Sequence, residues 1–335
     1  MRPARQDQAW GPSGRVEVTF GPLETCSLVI QVRSAGVDHG RGSSNRKCQG
    51  MHRIIEREIL APNVARLVVE APRIAQIRRP GQFVIVRLGP GAERIPLTIA
   101  DADPEAGTIT LVIQAVGKST SDLVEQEAGG AISDIAGPLG RPTELLEQGH
   151  AVCVGGGVGT AVVHPIAQGL HERGVRVTSV IGGRTRELVI FEEELRRQGE
   201  VITCTDDGSY GRPGFVTEAL KDLLDAGGID IVYAVGPVPM MRALEKLTRE
   251  YGVPTIVSLN PVMVDGTGMC GGCRVTIGGE TRYACVDGPE FDAHQVDFAE
   301  LAERLGTYRE FEQAAMARRG PCHLGPQLAD PGLAR

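Results

Sequence analysis

No run of about eighteen apolar residues occurs in the 335-residue sequence, so it offers no helix able to cross a bilayer and membrane association is not expected. An excess of basic residues is missing too. Lysine and arginine number 35 against 42 aspartates and glutamates, a formal net charge of -7, which argues against nucleic acid or an anionic membrane surface as a main partner. Aromatic residues are scarce, at 4%, whereas glycines number 44. A chain with that balance spends many residues on tight turns and on loops that approach phosphate closely. There are no internal repeats, so each segment has to be read on its own.

A secretory signal is also lacking, and the eight cysteines therefore do not read as a disulfide framework. The expected compartment is reducing and cytoplasmic. Cys153 and Cys204 lie inside apolar runs and read as buried core thiols, while Cys26, Cys48 and Cys322 carry no pattern. Residues 1–50 have no apolar signal core, and Asp7, Glu17, Glu24 and Asp38 weaken a transit-peptide reading. The expectation is a poorly ordered extension, with Met51 as the functional start.

What is present falls into three patterns. From Arg53 to Leu146 short strands recur at regular spacing, at Ile54–Ile59, Val64–Val69, Phe83–Leu88, Thr108–Val116 and Ala131–Ile135, with glycine and proline between them. That signature predicts a small antiparallel barrel. Within it lies Arg94-Ile95-Pro96-Leu97-Thr98, and later Gly117-Lys118-Ser119-Thr120 opens a short amphipathic helix. Backbone N–H groups and hydroxyls at such a helix start suit a pyrophosphate. The plainer alternatives are Thr120 as a helix cap and Arg94 as a solvated charge.

From His150 the period changes. Strands at Ala151–Val154, Val175–Ile181, Val201–Cys204 and Ile231–Val235 alternate with helical segments, which predicts a doubly wound parallel sheet. Gly155-Gly156-Gly157-Val158-Gly159-Thr160 follows the first strand and precedes a helix, the context of a nucleotide-phosphate loop. A third glycine at the usual place is absent, as is an acidic residue at the usual ribose position. Arg184 and Arg186 end the second strand instead and suit a 2′-phosphate, or are ordinary surface arginines. Asp207 and the run Gly236-Pro237-Val238-Pro239-Met240 fall at strand ends where ligands gather, with a polar turn and a proline-initiated helix as the alternatives.

The third pattern is the most specific. Asp265, Cys270, Cys273 and Cys285 give Asp-x4-Cys-x2-Cys-x11-Cys, which is the plant-type two-iron spacing with aspartate in the first ligand's place. Gly266, Gly268, Gly271 and Gly272 let the loop curl so that sulfurs converge. One rival is a structural zinc on Cys270, Cys273, Cys285 and Asp265 or His294. Zinc sites usually show two close ligand pairs, and only one is present here. Another alternative makes Asp265 a turn former and puts the fourth ligand at Cys322 or His294.

Taken together, these motifs resemble the ferredoxin–NADP reductase superfamily. Within it they are similar to the dihydroorotate dehydrogenase electron-transfer subunits, and most to the small subunits of NADH-dependent ferredoxin:NADP oxidoreductases, also described as sulfide dehydrogenase subunits. The resemblance covers roughly Met51 to Leu305. It implies FAD on Arg94, Pro96, Leu97 and Thr98, with its pyrophosphate at Gly117, Lys118, Ser119 and Thr120. It implies NAD(P)(H) at Gly155 to Thr160, Gly236, Pro237 and Met240, to which the strand-end positions add Arg184 and Asp207 as candidates, and a 2Fe–2S cluster on Asp265, Cys270, Cys273 and Cys285. No acid–base residue is demanded by hydride transfer, so no catalytic side chain is expected. Aspartate in place of the first of four cysteines separates this chain from the dihydroorotate type. The implied function is transfer of electrons between NAD(P)H, FAD, the cluster and a larger flavin and iron–sulfur oxidoreductase subunit, with ferredoxin reached indirectly. The implied division is a 1–50 extension, a 51–147 FAD-binding β-barrel, a 148–255 NAD(P)-binding α/β domain, a 256–305 cluster domain, and a 306–335 C-terminal helix and tail.

Overall fold

A computed structural model describes residues 51–318; the extension expected at 1–50, with the question of its start, and the tail beyond 318 lie outside the described residues. The first sheet is antiparallel. It comprises β1 (His52–Ala61), β2 (Val64–Glu70), β3 (Phe83–Arg87), β4 (Ile95–Asp103), β5 (Thr108–Gln114), β6 (Ala131–Ile132) and β7 (Asp134–Leu139), in the order β6-β1-β2-β5-β4-β3-β7. The two edge strands β6 and β7 are joined by Ser133 alone, so the sheet curls until its edges nearly meet, which removes exposed edges. The sequence pattern joins these two strands as Ala131–Ile135; the chain instead turns at Ser133, whose N–H bonds to the Leu88 carbonyl. Alternating residues Leu67, Val69, Ile109, Leu111 and Ile113 point inward with Val84 and Ile99 to form the barrel core. Two short helices close it, α1 (Pro72–Ile77) and α2 (Lys118–Val124).

The second sheet is largely parallel. Its strands are β8 (His150–Gly156), β9 (Arg176–Gly183), β10 (Glu200–Thr205), β11 (Arg212–Pro213), β12 (Ile231–Val235), β13 (Thr255–Ser258) and, antiparallel at the edge, β16 (Glu290–Asp292). The order β11-β10-β9-β8-β12-β13-β16 reverses direction of growth beside β8. β8 is buried along its whole length, as a central parallel strand should be. Helices α3 (Gly159–Glu172), α4 (Glu192–Arg196), α5 (Val216–Ala226) and α6 (Val238–Tyr251) connect these strands. On α5, Val216, Ala219, Leu220 and Leu224 make the buried stripe, at helical spacing. Two strands the sequence pattern did not reveal, β13 and β16, continue this sheet beyond residue 255. β16 lies beyond the cluster loop, and only tertiary pairing of Ile256 with Asp292 and Ser258 with Glu290 makes it a strand.

Between β13 and β16 the chain forms a hairpin, β14 (Arg274–Ile277) and β15 (Glu280–Tyr283), followed by the single turn α7 (Ala284–Asp287). Beyond β16 come α8 (Phe298–Gly306) and α9 (Arg309–Ala317), the latter within the segment expected as a C-terminal helix and tail. No helix among the described residues is long and apolar enough to cross a membrane.

Candidate functional site

Three sets of residues meet around β3 and β4. The first is the start of β4 itself. Ile95, Pro96, Leu97 and Thr98 are half-buried while Ile99 and Ala100 behind them are fully covered. The strand thus presents a shelf able to take a flat ring. Arg94 precedes the shelf, and its Nε donates to the Val264 carbonyl at 2.8 Å, with no partner on its terminal nitrogens among the described residues. Beside the shelf, α2 begins at Lys118. Its ammonium bonds Asp122 at 2.8 Å, and the Ser119 hydroxyl bonds Glu93. The Thr120 hydroxyl accepts from the Val116 and Gly117 N–H groups, both at 3.0 Å. Thr120 is therefore a cap, satisfying N–H groups the helix start leaves open.

The second set is the glycine loop. It leaves β8 at the point where strand order reverses, the usual ligand crevice of such sheets. Three of its four glycines have a contact as their reason. A Cβ on Gly155 meets the Thr160 Cα at 2.7 Å, one on Gly159 runs into the Val235 carbonyl, and one on Gly156 strikes the Met240 sulfur. Gly157 has φ +57°, and its N–H donates to the Gly182 carbonyl at 2.8 Å. Gly155–Thr160 and Gly236–Met240, distant in sequence, are thus packed together. The shelf adjoins them, because His164 on α3 contacts the Ala100 carbonyl through Nδ1 at 3.2 Å. Arg184 and Asp207 form a separate pair at the ends of β9 and β10, joined by the Asp207 N–H to the Arg184 carbonyl at 3.2 Å. Arg184 is exposed, and the Asp207 carboxyl is held below its usual range by hydrogen bonds from Ser209. The Arg186 guanidinium lies over the Tyr210 ring at 5.1 Å.

The third set is the loop of Asp265 to Cys285. Gly266, Gly268 and Gly271 all adopt positive φ, at +78°, +84° and +66°, which other residues rarely tolerate. Gly266 lies so close to Ile85 and Leu139 that no side chain fits there, so the loop is pressed onto β3 and β7. Cys273 and Cys285 are buried with Phe83, Ile85 and Met263, and their sulfurs are 3.1 Å apart. Burial first, then the neighbouring Cys273 thiol, pushes Cys285 upward. Two thiols so placed do not both ionise unless positive charge joins them. Asp265 and Cys270 form the other half. The Cys270 N–H donates to Asp265 Oδ2 at 3.0 Å and the Thr267 N–H to Oδ1 at 3.0 Å. Those bonds, that from Thr267 foremost, keep the carboxyl below its usual range. Backbone N–H groups also point at the sulfurs, Gly272 to Cys270 at 3.5 Å and Cys285 to Cys273 at 3.4 Å.

Among the described residues no three His, Cys, Asp or Glu side chains converge as they do around one tetrahedral ion. His294 instead bonds the Thr248 hydroxyl at 3.1 Å. A two-iron cluster divides its ligands between two metals and asks for two pairs. Asp265 with Cys270, and Cys273 with Cys285, are such pairs, ringed by N–H donors as cluster sulfurs require. The residues fit a 2Fe–2S cluster better than a zinc ion. Cys153 and Cys204 are buried elsewhere in the parallel sheet; burial pushes both thiols up, Cys153 to about 12, as for inert core thiols. The sequence patterns pass over Arg141 and Arg304, which reach this loop from outside its spacing motif, and Arg274, which follows Cys273 within it.

A seven-stranded, nearly closed antiparallel barrel, a parallel sheet with a glycine loop at its switch point, and a cysteine loop between them define a ferredoxin reductase-like protein. The ferredoxin reductase in carbazole 1,9a-dioxygenase shares this fold, with a TM-score of 0.53 at 20% identity over 61% of this chain and 65% of that one. The family model for the iron–sulfur cluster binding domain of dihydroorotate dehydrogenase B matches residues 260–297. The dihydroorotate dehydrogenase B (NAD(+)) electron transfer subunit homolog of Thermotoga maritima is 46% identical over 80% of this chain and 95% of its own length. The corresponding electron transfer subunit of Geobacillus thermodenitrificans is 35% identical over 72% of this chain and 96% of its own. A chain of the NADH-dependent reduced ferredoxin–NADP oxidoreductase, solved in a study of flavin-based electron bifurcation, superposes with a TM-score of 0.77 at 44% identity, over 80% of this chain and 97% of that chain. The chain belongs to the family of dihydroorotate dehydrogenase B electron transfer subunits and their homologues. Its role is electron transfer within an oxidoreductase.

Proposed function

We propose that this chain is the NAD(P)H-linked electron-transfer subunit of a ferredoxin:NADP oxidoreductase-type complex, working with a larger flavin and iron–sulfur subunit. The observation that carries this reading is the cluster loop, with Asp265 and Cys270 as one ligand pair and Cys273 and Cys285 as the other. The likeness to the NADH-dependent reduced ferredoxin–NADP oxidoreductase supports it further. Bound FAD supplies a carrier that takes two electrons as hydride and gives them up singly. Arg94 would face its phosphates, Pro96, Leu97 and Thr98 would lie under its ring, and Gly117 to Thr120 would edge the pyrophosphate. The nicotinamide nucleotide would lie along Gly155 to Thr160, with Gly236, Pro237 and Met240 closing the crevice and Arg184 and Asp207 at its far end.

In this scheme the side chains position groups and exclude water, and none moves a proton. The division at 51–147, 148–255, 256–305 and 306–335 follows these roles, with β13 and β16 joining the cluster segment to the nucleotide sheet. Purification of the native complex tests the proposal. A larger flavin and iron–sulfur subunit is expected to accompany the chain, and NAD(P)H oxidation with physiological acceptors is expected to need both. Undiminished turnover by the isolated chain would overturn it.

A further inference from the structure

Four arginines, from four different parts of the chain, each donate to a backbone carbonyl next to a proposed cluster ligand. Arg94 on the barrel bonds Val264, just before Asp265, at 2.8 Å. Arg141, beyond β7, bonds Val286, just after Cys285, at 3.3 Å. Arg274 bonds Gly271 at 3.3 Å and Arg304 bonds Gly272 at 3.2 Å, the two residues that separate Cys270 from Cys273. Each bond turns a carbonyl dipole towards a cation. At Gly272 the adjoining N–H meanwhile faces the Cys270 sulfur.

Arg304 is the most committed of the four. It follows Phe298 and Leu301 at steps of three on α8, both buried, so it projects inward beneath the loop. Its Nε is fully enclosed and has no hydrogen-bond partner among the described residues. A partnerless guanidinium nitrogen in such a place is costly unless negative charge lies nearby. Arg141 is partly offset by Asp287, 3.7 Å away. Arg304 has no acidic side chain in ion-pair distance among the described residues.

We infer that these arginines, Arg304 above all, are positioning residues that set the reduction potential of the cluster. The inference rests on the iron–sulfur reading given above. Three thiolates, a carboxylate and two sulfides outweigh two ferric ions, so the cluster is anionic. A one-electron reduction adds a further unit of negative charge and neither makes nor breaks a bond. Fixed positive charge at the loop favours the reduced form, and it acts most strongly where water is excluded. The guanidinium forks also hold the carbonyls outward, which leaves the N–H groups free to face the sulfurs.

The test is a mediated redox titration of the purified full chain, followed by EPR, with iron and sulfide measured per chain. Arg304→Gln is expected to keep iron and lower the reduced-to-oxidised ratio at fixed potential about tenfold, equivalent to about 59 mV for one electron. Arg304→Lys, which keeps the charge, is expected to restore most of that ratio. Arg282→Gln, which removes an exposed arginine paired with Glu280, is expected to change nothing. If Arg304→Gln fails to retain iron, Arg274→Gln decides the matter, with a ratio lowered about threefold expected. An iron-loaded variant with the wild-type ratio overturns the inference. Wild-type protein that binds no iron overturns the iron–sulfur reading itself.

Discussion

The cluster loop and the glycine loop are both glycine-rich, yet their glycines serve largely different ends. In the loop of Asp265 to Cys285 the glycines serve backbone direction, and positive φ at Gly266, Gly268 and Gly271 brings side-chain donors inward. In the loop of Gly155 to Thr160 three of the four glycines serve closeness, and Gly157, at φ +57°, serves direction. Thr160, Val235 and Met240 occupy the space where a Cβ has to go. The first brings together two buried thiols that do not both ionise unless a metal joins them. The second is complete as packed backbone and waits only for a ligand.

Substitutions break this contrast in a definite order. The largest effect is expected from Cys273→Ala, which removes one of two buried sulfurs and should abolish iron binding, whereas Asp265→Cys should keep iron and change its potential. Iron and sulfide analysis reads both. Equal loss in the two variants would contradict the pairing of ligands. Gly159→Ala comes next, because backbone rather than a flexible chain end meets the new methyl. It is expected to cost about 1–3 kcal/mol of stability and to weaken nucleotide binding, measured by urea denaturation and by titration. Gly156→Ala is the sharpening control. The Met240 thioether can swing aside, so about 0.5–1 kcal/mol is expected.

A smaller effect concerns the contact between β16 and the chain that follows β7. Glu290 on β16 accepts from the Thr143 hydroxyl at 2.9 Å, and burial, opposed by that bond, raises its carboxyl from 4.5 to about 7. The folded state thus holds this proton more tightly than the unfolded chain does. Its contribution is therefore fully present below pH 4.5 and is lost as pH rises through about 7. Glu290→Gln should remove that loss, so the urea midpoint of the variant should gain on the wild type between pH 5 and pH 8. A constant difference would contradict the assignment. Least of all, Thr120→Ala should cost about 0.5–1.5 kcal/mol by losing its cap bonds, read from the urea midpoint.

The same contrast governs what could be read from the sequence. Asp265, Cys270, Cys273 and Cys285 announce themselves because ligand spacing within one loop is local information. The parallel sheet is legible for the same reason, since buried strands such as Ile231–Val235 are continuous apolar runs. Contacts across the chain left no such trace. Arg94 and Val264 are 170 residues apart, and nothing in the sequence around Arg304 tells that it reaches Gly272. β16 is three residues long and is a strand only through its partner β13. Thr120 shows the converse, since its local pattern allowed both a cap and a phosphate contact, and the hydroxyl's two N–H bonds favour the cap.

In this reading one chain carries FAD on the barrel and a two-iron cluster on the loop of Asp265 to Cys285. Anaerobically purified protein, examined by absorption and by EPR with flavin, iron and sulfide quantified, tests it most directly. Flavin bands are expected together with a cluster of about two irons per chain that becomes EPR-active on one-electron reduction. A colourless protein, or one that holds zinc in place of iron, would contradict it.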